Sequence, residues 1–555
     1  MKIKNIFKQK KIIIGVLIAA FLGFNSFKLY DDDDDFELIK NLEIYHTLMR
    51  DLRIMYVDEI SSGDLIKNSI DKMLENLDPY TVYYPESLIE DVRFANSGEY
   101  AGIGTEIDKI DNFYEITNLI KNSPAEKNGL LIGDKIISIN DKLLNNKSID
   151  EVDLLLKGEN GSNIKFEIQR NNNKLNFSFK REIIKEKSIP YYGTINNNIG
   201  YIKLSSFTQN CSNELKEAFI SLKEKQNINQ LILDLRNNPG GLLIEAVNIV
   251  NLFIEKGENV VEMKGRVEQW NKMFKAENNP IDTKIPIIVL VNGQSASASE
   301  IVSGALQDLD RAVVIGEQTF GKGLVQTTKD LVYNAKCKIT TAKYYIPSGR
   351  CIQKLDYSHK NSEGKAISIP DSLIKTFKTK NGRTVKDAGG ILPDIIINSD
   401  TLSYFVENLI YNKSIYNFSN QYRNKNNQIS EPEKFSISQQ DLNDFKTQVG
   451  KKMVDYNTST EKQIKEIENL ANIEFENNEL NQEFNKIKQK IQQIKESNIN
   501  KYDDQLKKLL EYEIVKRYYY EEGEIRYSLK NDKNIDKAIE VLNNEILYKK
   551  ILLNK

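Results

Sequence analysis

Three short stretches of this chain carry residue types that can do covalent chemistry. The first is Val291-Asn292-Gly293-Gln294-Ser295-Ala296-Ser297-Ala298-Ser299-Glu300, which follows a continuous apolar run and precedes a helical pattern. A serine at such a strand-to-helix turn projects its hydroxyl where backbone N–H groups and the helix N-terminus stabilise developing negative charge. The second is Thr319-Phe320-Gly321-Lys322-Gly323-Leu324-Val325-Gln326. A lysine set between glycines and apolar residues loses hydration, which favours its neutral form and lets it act as a general base. The third is Asp234-Leu235-Arg236-Asn237-Asn238-Pro239-Gly240-Gly241. Its paired glycines permit close backbone approach, so the N–H of Gly240 or Gly241 can join that of Ala298 in facing an oxyanion.

Each stretch also has a plain structural explanation. Ser297-x-x-Glu300 is a capping box, and capping alone is worth about 1 kcal/mol. Gly316–Lys322 satisfies the first seven places of a phosphate-binding loop, but Gly323 stands where a Ser or Thr would meet Mg²⁺. The residues from Leu324 onward look like a strand, whereas a phosphate loop must open a helix. The glycine pair is a turn before the helix at Leu242 in any case. Asp234 and Arg236 either orient these loops or form an internal salt bridge or cap.

Composition decides which base is available. The chain has two histidines, His46 in an expected N-terminal helix and His359 in a polar loop. A Ser-His-Asp hydrolase needs an imidazole beside its nucleophile, and a zinc hydrolase usually needs several imidazole or thiolate ligands. Both lack raw material here. With 40% hydrophobic and 28% charged residues and a formal charge of -2, the chain is an ordinary globular protein without the basic face a nucleic-acid partner requires. Its 555 residues exceed one hydrophobic core, so two to four domains are expected. Cys211, Cys337 and Cys351 are too few for a disulfide scaffold; a Cys337–Cys351 bridge and three free thiols both stay open.

The N-terminus carries a compartment signal. Five lysines within Met1–Lys11 precede the apolar run Ile12–Gly23, and the acidic stretch Asp31–Asp35 lies beyond it. This is the form of a secretory signal, either cleaved or retained as a signal-anchor. It places the chain in the periplasm or cell envelope, with an inner-membrane anchor if the segment is retained.

Behind the reactive stretches stand the elements that must position them. Leu38–Leu77 reads as helices, which Asp78-Pro79 breaks. Ala101–Arg170 is a compact module with a Gly102-Ile103-Gly104 turn, strands at Thr105–Ile110, Tyr114–Leu119, Asp134–Ile139 and Asn163–Gln169, and helices at Pro124–Asn128 and Ile149–Leu156. Gly200–Ile395 reads as α/β, with Ile287–Val291 as a buried strand. From about Thr401 polar segments alternate with helical ones, and Val449–Asn498 suggests long surface helices. The expected division is 1–35 signal or anchor with an acidic linker, 36–95 helical, 96–172 the compact module, 173–400 the α/β region and 401–555 helical.

The same stretches, together with Asp78-Pro79-Tyr80-Thr81, Thr341–Arg350 and Gly389–Asp394, stand in the order found in the carboxyl-terminal processing (tail-specific) peptidases of the S41 type. The chain resembles that family over approximately residues 40–400. The resemblance implies a multidomain α/β fold, with a ClpP/crotonase-like S41 protease core, an inserted PDZ-like domain, a helical N-terminal segment and an α-helical C-terminal region. It implies Ser297 as nucleophile, Lys322 as general base and Gln326 holding the lysine amine, with Ala298 and the Gly240/Gly241 region as oxyanion donors. An even spacing puts Lys322 and Gln326 on one face of a strand-like segment. No metal or organic cofactor enters this route.

By the same resemblance, Gly102-Ile103-Gly104 is the carboxylate-binding loop of a PDZ-like domain, beside a strand edge to which a peptide adds. A pocket of Ile103, Ile107 and helix residues Val152 and Leu155 or Leu156 takes an apolar terminal side chain. The partners implied are polypeptides with exposed C-terminal tails; an adaptor or a homo-oligomer, with the C-terminal helices as its interface, stays open. The alternative function is a non-catalytic envelope PDZ scaffold that binds protein C-termini.

Overall fold

The computed structural model describes residues 32–196, 198–450, 456–475 and 480–553. The chain divides into two compact units, 1–83 and 84–555. The expected signal or anchor segment lies outside the described residues. Among the described residues no helix is long and apolar enough to cross a membrane.

In the first unit, helices span Asp32–Met55 and Ser62–Glu75. Asp32–Asp35, within the acidic run expected as a linker, thus lie in a helix. The Asp78 carboxylate closes the next turn, accepting the N–H groups of Tyr80 and Thr81 at 2.8 and 2.9 Å and the Thr81 hydroxyl at 2.9 Å.

The second unit is built around a six-stranded sheet. Its order is Tyr191–Ile195, Ile199–Lys203, Gln230–Asp234, Ile287–Val291, Val313–Gly316 and Ile395–Ile396. Only the first strand runs antiparallel to its neighbour. Strand residues alternate between two cores, as a sheet buried on both faces demands. Ile202, Leu233, Val289 and Val314 meet the helices Cys211–Gln226, Leu243–Asn251 and Ala298–Asp308. Tyr201, Ile232, Leu290 and Ile315 meet Ile535, Ala538, Val541 and Tyr548 from the last two helices, Lys533–Asn543 and Glu545–Leu553. The C-terminal region is therefore part of the protease sandwich, since its end covers one face of the core sheet. It also holds a core of its own, in which Phe405, Phe418 and Phe445 pack against Leu510 and Ile514. The helices Ser459–Glu474 and Asn481–Lys501 leave Ile467, Leu470, Ile473 and Ile487 exposed, in keeping with the expected surface character.

Two further sheets bear on the site. Leu324–Asp330, Lys336–Tyr345, Asn259–Gly265 and Lys272–Lys275 pair in that order. The PDZ-like sheet runs Thr105–Ile110, Phe113–Leu119, Lys135–Ile139, Asn163–Arg170 and Asn173–Lys180, with helix Ile149–Leu156 against it. The strand Asn173–Lys180 lies beyond the boundary expected at 172 and pairs along its full length with Asn163–Arg170. The three cysteines are free thiols, with Cys211 buried.

Candidate active site

Asp234, Val291 and Gly316 end three neighbouring parallel strands, and the three reactive stretches are the loops that leave them. Loops at the carboxyl ends of such strands are where an open α/β sheet gathers its functional groups.

Ser297 occupies the N-cap position of Ala298–Asp308, but its backbone has φ 54° and ψ -111°. An ordinary N-cap serine is extended. A non-glycine residue in this region stores about 1–3 kcal/mol of strain and is found where a side chain must be aimed. The turn itself is secured by other groups. The Ser295 hydroxyl donates to the Leu235 carbonyl at 2.8 Å and accepts the Asn292 N–H at 2.9 Å. The Ser299 hydroxyl donates to the Asn238 carbonyl at 2.9 Å, and that carbonyl also accepts the Ala296 N–H at 3.0 Å. Ser295 and Ser299 are thus fully buried structural residues, while Ser297 is only partly buried.

Glu300 is the residue whose part in the site sequence reasoning missed. Its side chain is fully buried. Oε2 accepts the Ser297 N–H at 2.8 Å and the Lys322 N–H at 2.9 Å; Oε1 accepts the Gly321 N–H at 2.7 Å and the Thr319 hydroxyl at 2.6 Å. Burial pushes its carboxyl up to about 7, against the pull of these four donors. The backbone nitrogens of Ser297 and Lys322, sharing one oxygen, lie within about 6 Å of each other, two hydrogen-bond lengths. The capping pattern at Ser297-x-x-Glu300 was the available signal, but it gave no sign that the carboxylate reaches a second loop. From the opposite side, the Tyr344 hydroxyl donates to the Lys322 carbonyl at 2.5 Å and lies 3.1 Å from the Ser297 carbonyl.

Lys322 is partly buried in this loop. The loop leads into a strand at Leu324 and not into a helix, so the phosphate-loop pattern at Gly316–Lys322 lacks the element it needs. The shared strand face expected for Lys322 and Gln326 is corrected for the same reason: Lys322 precedes the strand, which begins at Leu324, so strand alternation does not set the direction of its side chain. The Gln326 amide donates to the Thr340 hydroxyl at 3.1 Å on the neighbouring strand.

The glycine-pair loop packs directly on the Ser297 turn. A Cβ on Gly240, whose φ is 100°, would lie 2.7 Å from the Ala296 carbonyl oxygen and 2.9 Å from both the Ala298 nitrogen and Ser297 Cβ. The Gly240 N–H donates to Asn238 Oδ1 at 2.9 Å. Of the expected oxyanion donors, Gly240 is thereby engaged in this conformation, whereas the N–H groups of Ala298 and Gly241 have no acceptor among the described residues. Asp234 and Arg236 form an internal bidentate pair, with the Tyr201 hydroxyl at 2.7 Å from the same carboxylate. Against the cost of burial, Arg236 and Lys203 hold Asp234 well below the usual carboxylate range. His359 is exposed and bound to Asp356 at 2.7 Å, and takes no part.

In the PDZ-like module, Ile103, Ile107 and Leu156 line a groove of about 430 Å³, joined by Ile149 and Asp153. Val152, expected in this pocket, is turned into the module's core, and Leu155 packs against that core. The strand Thr105–Ile110 forms the sheet edge beside the groove. The Ile103 N–H has no acceptor among the described residues, and the Tyr100 ring lies over Gly102.

The chain matches the model of peptidase family S41 over residues 198–358 and a PDZ domain over 115–170. A model described as "Probable PDZ-protease, C-terminal helical domain" matches residues 405–542. It is 36% identical over 346 residues to a carboxy-terminal-processing protease of Bartonella bacilliformis, covering 61% of this chain and 79% of that one. A probable CtpA-like serine protease of Staphylococcus haemolyticus is 35% identical over 409 residues, covering 72% and 78%. Among solved structures, a photosystem II D1 C-terminal processing protease is 26% identical, with 65% of this chain and 93% of that chain covered and a TM-score of 0.36. The family models and the two protease relatives define a serine peptidase that carries its own PDZ domain. The chain belongs to the S41 carboxy-terminal-processing protease family and is a serine endopeptidase. A cell-envelope location fits that family.

Proposed function

We propose that this endopeptidase cleaves proteins and precursors presented by an exposed, largely apolar C-terminal tail, with Ser297 as nucleophile and Lys322 as general base. The observation that carries this assignment is the common bond of the Ser297 and Lys322 loops to one buried oxygen of Glu300, beside a strained Ser297 backbone. Neutral Lys322 accepts the Ser297 proton as the serine oxygen attacks a peptide carbonyl. The N–H groups of Ala298 and Gly241 receive the oxyanion, with Gly240 giving the close approach. Protonated Lys322 then delivers its proton to the departing amine, and water activated by the same lysine releases the acyl-enzyme. Gln326 restrains the lysine amine from the adjoining strand.

The tail adds as a strand to the edge Thr105–Ile110, with its carboxylate on the Gly102–Gly104 loop and its terminal side chain against Ile103, Ile107 and Leu156. The core is ClpP/crotonase-like, and the domain division follows the sequence boundaries, with the PDZ-like module extended to Lys180. The N-terminal segment acts as an export signal to the periplasm or as an inner-membrane anchor.

A serine-reactive phosphonate probe tests the assignment. Wild type should be labelled at Ser297, Ser297→Ala not at all, and Lys322→Ala at a small fraction of the wild-type rate. A soluble reporter with an apolar free-acid tail should be degraded, and its amidated form should persist. Equal degradation by wild type and Lys322→Ala would overturn the mechanism.

A further inference from the structure

The groove beside the edge strand is not electrically neutral. Glu106 and Asp108 stand on that strand, Asp153 on the facing helix and Glu186 on the segment leaving the module; among the described residues Lys157 is the one cation lining the groove. Lys157 lies 3.3 Å from Asp153. Glu106 receives only a neutral amide, Asn118 Nδ2 at 3.2 Å, and neither Asp108 nor Glu186 has a side-chain partner among the described residues. The strand's own lysine, Lys109, lies over the Tyr114 ring. The excess of carboxylates continues, reduced, out of the groove. Glu106 and Glu186 also line an adjoining cleft of about 410 Å³ with Glu521, Glu522 and Glu524, against the lysines Lys121, Lys185 and Lys187; Lys121 is paired with Glu522, and Lys185 with Glu99 and Glu214. Burial, then Glu524 and Glu186, push the Glu521 carboxyl up to about 7, as befits carboxylates gathered with too few cations.

A strand added to this edge sends successive side chains to opposite faces. The terminal residue and the third from the end enter the apolar pocket, with Asp153 at its mouth. The second and fourth from the end fall on the face of Glu106 and Asp108, which flank the inward Ile107 in the strand's alternation. We propose that this PDZ-like groove selects tails that are cationic just upstream of an apolar last residue, with Glu106, Asp108 and Asp153 as the selecting groups. This preference rests on the tail-binding function proposed above and adds a charge requirement to it.

The test uses the full chain carrying Ser297→Ala and fluorescent peptides ending in Ala. The peptides differ only at the second to fourth positions from the end, which are all Lys, all Gln or all Glu, each made as free acid and as amide. In low salt the Lys free acid should bind about tenfold tighter than the Glu free acid, and the ratio should shrink as salt screens the pairs. Adding Glu106→Gln and Asp108→Asn should reduce it to about twofold, and Glu106→Lys with Asp108→Lys should invert the order. Both residues are exposed, so these variants are expected to fold. Equal binding of the three free acids, or an unchanged ratio in the Gln/Asn variant, overturns the charge preference alone. Amides that bind as tightly as free acids overturn tail recognition and the preference with it.

Discussion

Ser297 and Lys322, 25 positions apart in the numbering, donate their backbone N–H groups to the same oxygen of Glu300. One buried carboxylate thereby fixes the relative position of nucleophile loop and base loop. Glu300→Gln tests this directly. The amide fits the space but turns an NH₂ toward backbone donors that need an acceptor, at about 1–3 kcal/mol for each group left unsatisfied. Probe labelling of Ser297 should slow by about a hundredfold while the chain stays folded by circular dichroism.

The pH dependence of the same residue has two opposite signs. Its carboxyl, ordinarily at 4.5, lies at about 7 in the folded chain because burial disfavours the charge. Between those values the folded state holds a proton that the unfolded state lacks. The group's contribution to stability is therefore complete below about 4.5 and is lost as pH rises through about 7, on the order of 3 kcal/mol in all. Activity should run the other way, because only the carboxylate accepts all four donors. A pH–rate profile should show an acid limb with an inflection near 7 that Glu300→Gln removes. An identical limb in both proteins would assign it elsewhere.

Gly240 is required by space as well as by backbone angle. The added methyl of Gly240→Ala would sit 2.7 Å from the Ala296 carbonyl oxygen and 2.9 Å from the Ala298 nitrogen. One of the two loops must move, and a misplaced oxyanion donor costs about 10²–10³ in rate. The expected result is a kcat loss of that order with KM little changed and stability lower by about 1–3 kcal/mol. Unaltered kcat would remove this loop from the site.

Much of this site was legible in the sequence because it is built from contiguous loops. A strand followed by Ser295–Glu300, a second followed by Gly321–Gly323 and a third followed by Gly240-Gly241 can be read locally, and the sheet order then brings them together. Ser295, Ser299, Asn238 and Tyr344 act through bonds between loops, which no spacing reveals. The same limit explains Gln326, whose bond to the Thr340 hydroxyl on the neighbouring strand no spacing reveals. It also explains the C-terminal region, whose last helices fill the second face of the core sheet from more than 200 residues away in sequence, Ile287 and Tyr548 being hydrogen-bonded partners.

Tyr344 offers a milder perturbation than Glu300. Its ring is buried, and its hydroxyl serves the carbonyls of Lys322 and Ser297 from the second sheet. Tyr344→Phe keeps the packing and removes that hydroxyl, which should lower stability by about 1–2 kcal/mol. Labelling of Ser297 should slow by about tenfold, with tail binding by the Ser297→Ala background unchanged. A large loss of tail binding would mean that Tyr344 acts through the PDZ-like module instead.

The helix that begins at Ser297 is also anchored at its far end. Arg350 is buried, and its guanidinium donates to Asp308 Oδ1 and Gln307 Oε1, both at 2.8 Å. Asp308 Oδ2 accepts the Ser348 N–H at 3.0 Å, so the Ser348-Gly349-Arg350 motif closes on the last turn of that helix. Arg350→Met would leave Asp308 buried without its cation, a loss of about 3–5 kcal/mol, while Asp308→Asn in the same background should recover part of it. Thermal melts of the three proteins measure this directly. Because the pair lies at the opposite helix end from Ser297, labelling rates well below the melting transition should fall much less than stability does. A rate loss as deep as that of Glu300→Gln, with the melt unchanged, would instead mean that Arg350 bears on the Ser297 turn itself.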